Sequence, residues 1–176
     1  MNKKSPPRLF LLAICFICIG IYYNCIEVSA SIKVKVENNK IISAEGSGVL
    51  TIGNNIKQIY LDNSLWKGKL DITRFKVASG NKYFQVVDGV LFNKDMTELF
   101  YYPNAKKGTS YTVKKTVNTI NQSAFAYNKH LENITIKNGV KSIGFDAFEY
   151  SNLKNITIPG RVFLFSDIRL QEAGSI

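Results

Sequence analysis

The sequence predicts a mainly β fold with short helical turns: a short solenoid whose coils stack parallel strands into a ladder, with an antiparallel hairpin or meander inserted. Three observations predict it. Residues 114–139, "KKTVNTINQSAFAYNKHLENITIKNG", and residues 138–160, "NGVKSIGFDAFEYSNLKNITIPG", write one pattern twice with most polar letters changed. Each copy holds a three-residue alternation, Ile134-Thr135-Ile136 and Ile156-Thr157-Ile158, which reads as a short strand with apolar residues inside and a polar one outside. Upstream, "KYFQVVDGVLFNKDMTELFYYP" breaks the period and carries hairpin punctuation instead.

The repeat fixes the coil. Val117 aligns with Val140, Ile120 with Ile143, Ala124 with Ala147 and Phe125 with Phe148, each 23 residues apart. One residue is then lost, and Leu131, Ile134 and Ile136 fall on Leu153, Ile156 and Ile158 at 22. The kept positions are apolar because one copy cannot bury its apolar side alone and must cover its neighbour. A period of about 20–29 residues marks a leucine-rich-repeat solenoid. "INQSAFAY" and "IGFDAFEY" read as one tight helical turn on the side opposite the strand, with Phe125 and Phe148 plugging the interior. The phase extends upstream to Tyr111-Thr112-Val113, and Ile72-x-x-Phe75-x-Val77 matches Leu131-x-x-Ile134-x-Ile136. Four rungs follow, at 75–77, 111–113, 134–136 and 156–158, spanning roughly 15 Å at the parallel-strand spacing.

The gap from the first rung to the second is 36 residues, too long for one period. Asp88-Gly89 between "FQVV" and "VLFN" is a two-residue hairpin signal. "NKDMT" makes a second turn into "ELFYYP", so a three-stranded antiparallel meander is expected at about 82–103, between the rungs or packed on their edge.

The ends of the chain read differently. "MNKKSPPR" is basic, Leu9–Tyr23 is an apolar run of 15 residues, and Val28-Ser29-Ala30 supplies small residues, the pattern of a signal peptide over 1–30. A spanning helix needs about 20 apolar residues. Cleavage after Ala30 is therefore expected, with a retained signal anchor as the alternative and the only membrane attachment in view. Both leave the remainder outside the cytoplasm, secreted or at the cell surface. Cys15, Cys18 and Cys25 all lie in this leader, so no disulfide is expected beyond it. Residues 31–66 read as a β-rich N-terminal cap, 67–160 as the repeat domain and 161–176 as an irregular tail. The net charge of +10, from 23 basic and 13 acidic residues of 176, is scattered and comes with no nucleic-acid-binding motif.

The segment "VVDGVLFNKDMTELFYYPNAKKGTSYTVKKTVNTINQSAF", followed by "LENITIKNGVKSIGFDAFEYSNLKNITIP", resembles the BspA-like leucine-rich-repeat proteins. The family pattern is an Asp-Gly-Val-Leu-Phe hairpin, a Tyr-Pro, then units of Val-x-x-Ile-Gly-x-x-Ala-Phe and Leu-x-x-Ile-x-Ile-Pro. "GSGVLTI" at 46–52 is similar to a segment that opens such domains. Asn121 departs from the pattern where Gly144 keeps it, and the pattern stops after Val162. The resemblance implies a secreted or surface-displayed binding protein, of a family associated with adhesion to extracellular matrix and to other cells and not with catalysis.

The residues agree with a non-catalytic reading. His130 is the single histidine and lies in a loop; no Gly-x-Ser-x-Gly elbow and no metal-ligand cluster is written, and no cofactor is expected. Asp88, Asp95 and Asp146 read as turn residues. Asn121, Asn133 and Asn155 open Asn-x-Ser/Thr sequons, two of which are simply the strand written twice. Stacked rungs would place Thr112, Thr135 and Thr157 in one outward column and Ser110, Asn133 and Asn155 in another, rimmed by Lys114, Lys137 and Lys154. This face is the expected contact for an extracellular protein or glycan. Tyr101 and Tyr102, with Trp66, are the alternative contact, because aromatics dominate interface hot spots; otherwise they pack in the core. Against adhesion stand two other readings: a vestigial or structural fragment of a longer repeat protein, and an extracellular enzyme with almost no residue support.

Overall fold

The computed structural model describes residues 31–160 and 162–164; the expected signal peptide over 1–30 and most of the expected irregular tail lie outside the described residues. The chain starts with a hairpin. β1 (Lys33–Glu37) and β2 (Lys40–Ile52) run antiparallel about Asn38-Asn39, both at positive φ, 49° and 61°. That is the backbone a two-residue primed turn needs, and asparagine tolerates it better than most residues. β2 then changes partner. Up to Glu45 it pairs with β1; from Gly46 it pairs in parallel with β4 (Leu70–Val77). Gly46 makes the change possible: its φ is +107°, and a Cβ there would lie 2.8 Å from the Ser31 carbonyl oxygen. β3 (Gln58–Ile59) joins the start of β2, and a five-residue helix, α1 (Asp62–Trp66), covers it. The helix is an addition to the expected β-rich cap; Ser64 Oγ accepts the Ala44 N–H at 2.9 Å and Leu65 packs inward.

The meander forms as expected. β5 (Phe84–Val87), β6 (Val90–Asn93) and β7 (Glu98–Tyr101) are antiparallel, with Asp88 and Gly89 at φ 53° and 80° in the connecting turn. Asn93 closes the second turn, its Oδ1 accepting the N–H groups of Thr97 and Glu98 at 2.9 and 3.0 Å.

The parallel ladder contains β8 (Ser110–Thr112), β10 (Asn133–Thr135) and β12 (Asn155–Thr157), in the register Ser110–Asn133–Asn155 and Thr112–Thr135–Thr157. Among the described residues the rungs of this ladder are therefore three, not four. The expected rung at 75–77 belongs to β4, which pairs with β2 rather than β8. The physical reason is the meander, whose turn takes the intervening slot: the Phe75 N–H donates to the Gly89 carbonyl at 2.9 Å. A second parallel ladder turned up beside the first, β9 (Thr119–Ile120), β11 (Ser142–Ile143) and β13 (Phe163–Leu164), and β7 pairs with β9 to join the meander to it.

The expected helical turns are not helices. Residues 122–127 and 145–150 make successive turns in which Ser123, Tyr127, Asp146 and Tyr150 have φ between 50° and 56°. They bond to each other across coils: the N–H groups of Ser123, Phe125 and Tyr127 donate to Phe145, Ala147 and Glu149 at 3.0, 2.7 and 2.8 Å. Inter-coil bonds satisfy the backbone here, so no i→i−4 ladder is needed. Inside, Tyr102, Phe125 and Phe148 stack in a column, with ring centroids 5.4 and 5.3 Å apart. Gly144 is required by the same closeness, since a Cβ there would lie 2.5 Å from the Gln122 backbone nitrogen. Asn121 escapes this because its neighbour is the meander: its N–H donates to Leu99 and its Nδ2 to Glu98 Oε2 at 3.3 Å.

Two apolar cores result, and the meander divides them. Val90, Phe92, Leu99 and Tyr102 pack into the repeat core; Leu91 and Tyr101 pack into the N-terminal core with Ile72 and Phe75. Successive side chains of β6 point to opposite faces; in β7 a register shift, with Phe92 opposite Leu99 and Leu91 opposite Tyr101, leaves one extra residue and turns Leu99 and Tyr101 to different cores. Buried Asn104 ties β4 to the segment that follows β7. Its Oδ1 accepts the Ile72 N–H and its Nδ2 donates to the Leu70 carbonyl, both at 2.7 Å. Asn128 repeats the device one coil on, donating to the Pro103 carbonyl at 2.9 Å and accepting from Leu131 N–H at 2.7 Å.

Candidate binding surface

The predicted ladder face exists. Thr112, Thr135 and Thr157 form one exposed column in register, while Tyr111, Ile134 and Ile156 between the columns turn toward the core. In the second column Ser110 and Asn155 are exposed and Asn133 is half-buried. This column is partly self-satisfied: Asn155 Nδ2 donates to Asn133 Oδ1 at 2.8 Å, and Asn133 Nδ2 to the Thr109 carbonyl at 3.4 Å.

The lysine rim is less basic than the sequence suggests. Lys114 Nζ lies 3.3 Å from Asp88, and Lys154 Nζ 3.0 Å from Glu132. Lys137 is exposed. Two of the three ammonium groups therefore have a carboxylate beside them, and the face offers hydrogen bonds more than charge.

The alternative contact, Tyr101 and Tyr102, is buried: the two side chains are 6% and 4% exposed. Neighbours on one chain, they enter different cores, and neither is available to a partner. A signal in the sequence could have found this. "VLF" and "LFYY" are unbroken apolar runs, the mark of strands covered on both faces rather than one. Trp66 is on the surface, 63% exposed, its ring edge-on to Tyr150 at 6.1 Å; Tyr150 in turn stacks on Tyr127 at 5.0 Å. His130 is exposed, and its N–H is held by Asn128 Oδ1 at 3.1 Å. Among the described residues, no three His, Cys, Asp or Glu side chains are grouped to hold a metal ion.

Asp62, the first residue of α1, reaches the hydroxyl of Tyr101. It accepts a hydrogen bond from the Tyr101 hydroxyl at 3.3 Å, and Tyr101 Oη accepts the Leu61 N–H at 3.3 Å. Burial raises the Asp62 pKa above its ordinary 3.8, outweighing the hydrogen bonds from Ser123 and Tyr101 that lower it. Burial, and then the Asp62 charge, push the Tyr101 hydroxyl far up, so it stays a donor. The sign for Asp62 follows from linkage. The native state holds this proton more tightly than the unfolded chain, so stability falls as pH rises from 3.8 through the raised native value. Asp62→Asn keeps an acceptor oxygen and removes the charge. It is expected to melt at or above the parent at neutral pH, with the difference closing as the pH drops below 3.8; paired thermal melts across that range check it.

With the geometry in place, the comparisons show what the chain is similar to. Residues 96–170 match the BspA type leucine rich repeat region, in six copies. The pneumococcal vaccine antigen PcpA is similar in structure, with 31% identity and a TM-score of 0.58, over 66% of this chain and 29% of that one. A leucine-rich repeat protein from Eubacterium ventriosum is 34% identical with a TM-score of 0.60, over 66% of this chain and 31% of that one. This chain thus spans less than a third of the length of each. No curated protein matches it. The coil period, the stacked Phe125–Phe148 column and the parallel registers of two ladders agree with that match, and over residues 96–170 the chain is similar to the BspA type leucine rich repeat region.

Proposed function

We propose that the protein is a non-catalytic repeat protein, secreted or displayed at the cell surface, that binds an extended protein or glycan through its strand ladder. The observation that carries this reading is the exposed, in-register column of Thr112, Thr135 and Thr157 set on a stacked apolar core. Such a face is flat and rich in small hydrogen-bonding groups. Small-molecule sites are concave and mostly apolar, whereas a shallow ladder presents equivalent donors and acceptors at each step of about 4.8 Å. The basic, apolar and small-residue pattern over 1–30 supports export, and one structural neighbour is described as a vaccine antigen.

A second reading has its own observation. The Asn155–Asn133 bond and the Lys114–Asp88 and Lys154–Glu132 pairs link coils to each other, as the wall of a structural fragment would. One experiment separates the two: binding of the protein to immobilised matrix proteins and a glycan array, with Asn133→Arg/Asn155→Arg beside the parent. Binding through the ladder predicts at least a tenfold loss of affinity, about 1.4 kcal/mol, with the melting temperature nearly kept. A double variant that binds as the parent does would remove the ladder from the interface.

A further inference from the structure

We propose that a basic groove on the N-terminal sheet binds a sulfated, glycosaminoglycan-like polysaccharide, a site separate from the ladder and independent of what the ladder does. Lys33 and Lys35 stand two residues apart on exposed β1, and Lys67 and Lys69, both exposed, follow α1. Some thirty residues of sequence separate the pairs. β2 brings them together: Glu45 is in register with Lys33, and the next residue, Gly46, donates its N–H to the Lys69 carbonyl at 2.8 Å. The four lysines line one groove of about 350 Å3, with Glu45 the one carboxylate among its lining residues. A second hollow, holding Ser31, Lys33 and Lys69, runs on from it. Glu37 offsets part of the charge, lying 2.8 Å from Lys35 Nζ.

The lining selects the occupant. Four ammonium groups against one lining carboxylate call for a partner with several negative charges in a short length. A strand places Lys33 and Lys35 about 6.6 Å apart, and a second pair stands on the other wall, so charges on two sides of each sugar fit better than a single line of phosphodiesters. The floor and walls also carry Ser43, Asn63 and Ala44, small groups suited to sugar hydroxyls and ring edges. No aromatic ring lines the groove, and single-stranded nucleic acid is gripped by stacking on such rings.

The test uses purified protein on heparin, with a glycerol-phosphate polymer and duplex DNA as competing anions. The variant Lys33→Ala/Lys35→Ala/Lys67→Ala/Lys69→Ala is compared with Lys76→Ala/Lys107→Ala/Lys115→Ala/Lys141→Ala, which removes the same charge from exposed positions elsewhere. The expected result is that the groove variant elutes from heparin at lower salt and loses at least about tenfold in affinity, since each lost ammonium forfeits the release of condensed counterions. The control variant and Asn133→Arg/Asn155→Arg then stay near the parent. Equal losses in both lysine variants would overturn the groove in favour of diffuse charge. Tighter binding to the glycerol-phosphate polymer or to DNA, or a parent that heparin does not retain, would overturn the sulfated glycan.

Discussion

Phe125→Ala is expected to lower the melting temperature by about 6–20 °C. The ring is fully buried and touches three others, Tyr102 at 5.4 Å, Phe148 at 5.3 Å and Tyr111 at 5.9 Å. Truncating a buried Phe costs about 3–5 kcal/mol, and each kcal/mol shifts a domain of this size by about 2–4 °C. Collapse cannot refill the hole, because inter-coil hydrogen bonds at Phe125 and Tyr127 hold the coil spacing. Phe125→Leu keeps most of the volume and should recover more than half of the loss. The measurement is a thermal or denaturant melt of the three proteins. A shift of only a degree or two for the alanine variant would put Phe125 outside the core and the whole repeat phase in error.

Asn104→Ala is the second large effect, and it acts where β4 meets the segment that follows β7. The substitution leaves the Ile72 N–H and the Leu70 carbonyl without their partner, and both bonds are buried and 2.7 Å long. A buried polar group left unsatisfied costs about 1–3 kcal/mol, so the pair predicts a loss of about 2–6 kcal/mol. Asn104→Asp distinguishes this from a loss of packing. It keeps the volume and the acceptor but sets a second oxygen against the Leu70 carbonyl, so it should be as damaging as alanine at neutral pH and recover in acid. An aspartate variant as stable as the parent would show that the Leu70 bond contributes nothing. Hydrogen exchange at Ile72, fast in the alanine variant and slow in the parent, locates the opening at β4.

The repeat was legible because its period is a direct image of packing. Val117, Ile120, Phe125 and Leu131 share one core with their counterparts a coil later, and Ile120 and Phe125 meet Ile143 and Phe148 directly, so spacing alone placed them inside and put Thr112, Thr135 and Thr157 outside. The Asp88-Gly89 turn was legible for a local reason: its two positive φ angles suit few other residue pairs. The BspA resemblance also rested on contiguous residues. What failed depended on partners distant in the chain. Phe75 and Val77 carry the letters of a rung, but letters do not state which strand lies alongside, and β4 found β2. Tyr101 and Tyr102 read as contact or core, although the unbroken apolar run around them points inward, and the second core behind β7 supplies the reason both are buried.

The sequence by itself determined the coil: its period, its inward residues, its outward columns and the hairpin that interrupts it. It did so because each of these is set within about 25 residues by side-chain alternation and turn chemistry. Only the tertiary structure decided the rest. It made the meander a partition between two cores, put acids beside Lys114 and Lys154, and gathered Lys33, Lys35, Lys67 and Lys69 around one groove. Charge and burial at those places come from segments that meet only where β2 passes from β1 to β4 at Gly46, and no local pattern encodes which segments such a change of partner will bring together.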